Sequence, residues 1–139
     1  MSWLGWAVLS AVFAAATAIL AKIGVTGIDS DLATAIRTSV VLLFAWMIVI
    51  ATGSGGGLNQ IQARSWVFLV LSGIATGLSW LCYFRALQLG PASKVAPVDK
   101  LSLVLVVITA AIFLGERISV SIGIGAAMVV TGVLILATS

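Results

Sequence analysis

The chain has 139 residues, is 62% hydrophobic and 8% charged, and carries a formal net charge of +3 with no histidine. Soluble domains carry about 25% charged residues, so a mean hydropathy of +1.28 excludes a water-soluble globule. The positive charge is scattered rather than gathered into a patch, which argues against nucleic acid as a partner.

A spanning helix needs about 20 apolar residues, and five of them would use about 100. The expected fold is therefore an all-α integral membrane protein with five transmembrane helices in a single domain, residues 1–139. Loops are short and a separate soluble domain has no room. The first apolar segment lacks a basic leader and is too long for a signal peptide, so it reads as a retained span. Cys82 stands alone, cannot form an intrachain disulfide, and is expected as a small buried hydrophobe.

Span one is expected over residues 3–24. Trp3 and Trp6 suit an interfacial belt, and Lys22 can reach water from the far end. Ser10, Ala14, Thr17 and Ala21 place small side chains on one face, suited to close helix contact or to a wall of a solute path. In the following turn Asp29 and Ser30 are both available as N-cap.

Span two is expected over residues 32–52, with Arg37 inside it either snorkelling outward or facing the interior. The connection GSGGGLNQIQAR is rich in glycine and is expected to be flexible. It lacks the Gly-Lys-Ser/Thr ending of a phosphate-binding loop.

Span three is expected over residues 65–89. Gly73 and Gly77 form a GxxxG, a helix-packing or dimer candidate. Trp80, Tyr83, Phe84 and Arg85 crowd within two turns. They read either as an aromatic belt with a snorkelling arginine or as the mouth of a solute cavity.

Gly90-Pro91 makes the next turn, and span four is expected over residues 92–114. Pro97 removes one helical hydrogen bond, so a break is expected at about Ser93. Asp99 and Lys100 follow, roughly 100° apart around a helix. Val95, Asp99 and Ser102 share one face, which is expected to look inward rather than to lipid. Asp99 reads as a structural ion pair with Lys22, Arg37, Arg85 or Lys94, or as a group that couples to protons or touches solute.

The sharp turn FLGER leads to span five over residues 118–137, where Ser121, Gly125, Met128 and Gly132 trace a mostly small face suited to dimer contact. There are no paired catalytic carboxylates, no metal-ligand cluster and no base beside a nucleophile. No catalytic residue, metal or cofactor is expected, and the chain does not read as an enzyme.

The run YFRALQLGPAS, a proline in the next span, then IFLGERIS and the glycine-rich IGIGAAMVVTGVLIL closely resemble the EamA-type domain of the drug/metabolite transporter superfamily. The resemblance covers essentially the whole chain. It implies one half of a ten-helix fold, as in the short five-span members. It also implies small-solute movement by alternating access between two inverted repeats, hence a homodimer here, possibly of dual topology. Family members move amino acids, metabolites, nucleotide sugars and drugs. A prokaryotic cytoplasmic (inner) membrane fits the resemblance. One departure is APVDKLSLV, where Asp99 and Lys100 add charge to a stretch that is usually uncharged. Candidates for a substrate or coupling-ion pathway are therefore Asp99, Lys100, Arg85, Tyr83, Trp80, Arg37 and Lys94. The competing reading is a non-transporting membrane subunit whose small-residue faces serve partner helices.

Lysine and arginine set orientation. Lys22, Arg37, Arg85, Lys94 and Lys100 fall on one side against Arg64 and Arg117 on the other, which favours a cytoplasmic carboxyl terminus. Setting aside Arg37, Arg85 and Lys100 as lying within spans leaves two against two.

Overall fold

A computed structural model describes residues 2–138, with the side chain of Asn59 excepted. It contains helices α1 (Trp3–Gly24), α2 (Ser30–Ala51), α3 (Ala63–Leu89), α4 (Ala92–Asp99), α5 (Ser102–Thr109) and α6 (Val120–Thr138). A π-turn over Ala110–Leu114 extends α5. The stretch Ala92–Leu114 counts as one span, so five segments are long and apolar enough to cross a membrane.

The chain divides into two compact units, Ala21–Gln88 and Met1–Leu20 with Leu89–Ser139. In the first, helix α2 begins at Ser30, two residues before the expected start, because Asp29 caps it. The Asp29 carboxylate accepts from the amides of Asp31 at 2.9 Å and Leu32 at 3.2 Å, satisfying donors that have no helical partner. Gly27 takes a left-handed φ of 81° in the turn before it. Burial concentrates at this end of the unit: Ala21, Val25, Ser30, Ala33, Thr34, Phe84 and Leu87 are all buried. Two long-range hydrogen bonds close it. Lys22 Nζ donates to the Leu87 carbonyl, and Gln88 Nε2 donates to the Ile28 carbonyl at 2.6 Å. The last turn of α3 is thus held against the α1–α2 turn by donors that reach its backbone and come from it. After α2, the glycine-rich connection is not an open coil; Ser54–Gln60 winds into a 3₁₀ helix.

In the second unit α6 packs against α4 and α5. Val133 is its one buried residue among those described. Gly115 stops the fourth span with φ 66°, and its amide returns to the Ala110 carbonyl. The Glu116 amide reaches the same oxygen at 3.3 Å. This closure is one residue wider than the end of an α-helix, as the π-turn requires.

Most long apolar side chains are exposed, Trp3 and Phe113 to 81%, which suits a surface covered by lipid rather than water. Cys82, expected inside, is exposed as well. Among the described residues, a Cβ added at Gly73, Gly77, Gly125 or Gly132 meets nothing within 4 Å. Ser121 is also exposed.

Candidate functional site

In the unit Ala21–Gln88, the half-buried Arg37 lies against α3. Its guanidinium lies over the Trp80 ring, 4.2 Å from the centroid, and 5.6 Å from that of the buried Phe84. Tyr83 meets Phe84 edge to face with centroids 6.5 Å apart. Trp80 and Phe84 lie four residues apart on α3, so one helix face presents both rings to one cation. The negative faces of the rings take the place of water around the guanidinium. Arg85, expected beside these aromatics, turns elsewhere. It is exposed and donates to Gln88 Oε1 at 2.9 Å.

The same unit holds an open groove of about 310 Å³ lined by Asp31, Thr34, Ala35, Thr38, Ser39 and Leu42 of α2 and by Gly77 and Leu81 of α3. Its hydroxyls donate along the helix: Thr34 to the Ser30 carbonyl, Thr38 to that of Thr34, and Ser39 to that of Ala35, at 2.7–3.0 Å.

In the other unit the fourth span is interrupted, but not at Ser93. The first turn of α4 is anchored on Pro91, whose carbonyl accepts from Lys94 and Val95 at 3.0 and 3.1 Å. Helical winding therefore passes Pro97. The break falls at Lys100 and Leu101, whose amides bond back only three residues, to Pro97 and Val98, both at 3.0 Å. The ion pair of Asp99 within this unit is with the adjacent residue: the Asp99 carboxylate meets Lys100 Nζ at 3.4 Å. The face of Val95, Asp99 and Ser102 is not sealed inside the chain: Ser102 is exposed and the Asp99 side chain keeps 37% of its surface. Lys94 is half-buried in the first turn of α4.

Residues 1–138 match the EamA-like transporter family. The chain belongs to that family. It is also 54% identical over 136 residues to an uncharacterized transporter in the cobO 3′ region of a Sinorhizobium species, covering 98% of this chain and 96% of that protein. No solved structure matches. Membership of the EamA-like family fits the five spanning segments of an integral membrane protein in the short, single-repeat form.

Sequence reasoning did not single out Asp31, Thr34, Thr38 and Ser39. Their signal is there: positions 31, 34, 38 and 42 keep one face of a 3.6-residue helix, and three of the four are polar in an apolar span. Threonine and serine are ordinary in membrane helices, so the stripe stands out only once the groove is seen.

Proposed function

We propose that the chain is a carrier of small organic solutes, working by alternating access as a homodimer of five-span units in a prokaryotic cytoplasmic membrane. The observation that carries this reading is the interrupted fourth span. A helix that stops at Asp99 and restarts at Ser102, through a turn whose amides bond back only three residues, sets an ion pair at an interruption inside an apolar segment. Discontinuous spans of this kind mark the solute and ion sites of carriers built from repeats. Charge within a span is costly unless it lines a cavity or finds a partner.

In this reading Asp99 and Lys100 handle solute or coupling ion, with Lys94 on the same span. Arg37, Trp80 and Tyr83 form a second set on α2 and α3, and Arg85 lies at the end of α3. The family and the bacterial relative support transport in general. Two copies in opposite orientations would supply the inverted repeats that alternating access uses.

The test is flux in proteoliposomes with Asp99→Asn. Transport is expected to fall at least tenfold or to lose its ion coupling, while the protein keeps its helical content and elution volume. Unchanged flux would remove Asp99 from the mechanism. The uncovered glycine faces favour one other reading, a subunit that docks partner helices. Co-purification of a stoichiometric partner, without solute-dependent stabilisation, would favour that reading instead.

A further inference from the structure

We infer that the groove on α2 and α3 is a binding site for a small amphipathic ammonium ion, its cation at Asp31 and its apolar body along Leu42, Leu81 and Gly77. The donor inventory leads there. Thr34, Thr38 and Ser39 each commit their one hydroxyl proton to a helix carbonyl, leaving only oxygen lone pairs toward the groove. None of the eight lining residues carries a side-chain N–H. Asp31 adds a carboxylate, which accepts from the Ser30 hydroxyl at 3.4 Å and keeps further acceptor capacity. The exposed lining is mostly apolar and its polar side-chain atoms are acceptors without a donor, which favours an apolar ligand that brings its own protons and positive charge.

Asp31 is not needed to cap α2, which is capped by Asp29. Arg37 does not compete for the carboxylate. It projects roughly 100° around the helix from Thr38 and is stacked on Trp80. Geometry sets the orientation of the ligand. From Asp31 to Leu42 the groove runs about 16 Å along α2, from the carboxylate at the end of the span, past the hydroxyls of Thr34, Thr38 and Ser39, to Leu42 nearer the middle. An ammonium head at Asp31 and a hydrocarbon body toward Leu42 match that order. The volume lies at the lower end of the range for small-molecule pockets.

The inference extends the carrier reading by naming a substrate class, and binding tests it apart from flux. Purified protein in detergent micelles would be titrated calorimetrically with phenethylammonium, phenethyl alcohol and 3-phenylpropionate. Saturable binding of the ammonium is expected, at least tenfold tighter than that of the alcohol, with none of the anion. Asp31→Asn is expected to weaken it tenfold or more while Asp29 keeps the helix start. Gly77→Leu fills open space and is expected to abolish binding. Thr38→Val keeps the side-chain shape, removes one acceptor and is expected to weaken binding several-fold, so the groove is tested even if the leucine variant misfolds. Equal binding of amine and alcohol, preference for the anion, or full binding in any variant that folds would overturn the site. Amine binding without flux would leave the site standing and remove the carrier reading. Flux of other solutes without amine binding would do the reverse.

Discussion

At the scale of single residues, Arg37 carries the largest local cost. It lies seven residues into α2, about 10 Å from the helix start and short of the helix centre, at which an arginine is unfavourable by about 2.5–3.5 kcal/mol on insertion scales. A ring face returns about 0.5–2 kcal/mol to a cation, more as water is excluded. Trp80 at 4.2 Å and Phe84 at 5.6 Å therefore offset much of the cost but not all of it. Replacing Trp80 by leucine should lower stability to denaturant in micelles by about 1–2 kcal/mol. Trp80→Phe, which keeps a ring, should lose less than half of that. Equal losses would mean that Trp80 acts by volume and not through its ring face. The sequence left Arg37 with two orientations because its partner lies 43 positions away on another helix, beyond the reach of local pattern. For Asp99 the difficulty was the opposite. Its partner is the next residue, and an expectation of regular helix geometry had turned the two apart.

At the scale of elements, hydropathy made the five spans legible, since little but continuous apolar runs can fill them. Their internal irregularities were less so. Pro97 announced a break, yet where the winding yields depends on how firmly Pro91 anchors the first turn. The π-turn at Ala110–Leu114 has no residue signature in AAIFL at all. Pro97→Ala restores an amide for the Ser93 carbonyl and should raise stability by about 1 kcal/mol or more. If the interruption serves transport, flux should fall in the same variant. A stabilised protein with full flux would separate the break from function. At the start of α2 the two available caps could not be ranked from sequence, because both residue types cap well. In the structure Asp29 takes the role and Ser30 becomes the first, buried residue of the helix.

At the scale of the whole molecule, the burial pattern matters most. One end of the unit Ala21–Gln88 is packed, while the rest of its helices and almost all of the other unit present apolar surface outward. Lipid covers such surface without gain or loss, so association must come from packing of small residues and from polar contacts. Gly73 of α3 and Gly125 and Gly132 of α6 are places where a second copy could approach closely without filling the groove at Gly77. Reporters active on opposite sides of the membrane, fused to the carboxyl terminus, would test the inverted homodimer. Comparable activity of both is expected from the two-against-two lysine and arginine count that remains once Arg37, Arg85 and Lys100 are set aside. A single orientation would rule that assembly out and leave a parallel dimer or a separate partner.

The stacking of Arg37 on α3 also has a history in time. The chain is made from its amino terminus, and Trp80 emerges 43 residues after Arg37. At about 5–20 residues per second, several seconds can separate the charge from its rings. During that interval α2 cannot settle in lipid with Arg37 at its final depth on the same terms. Either the nascent helix waits in the insertion machinery, or it rides high until α3 arrives. The span that supplies the rings thereby also sets the moment at which α2 takes its final place.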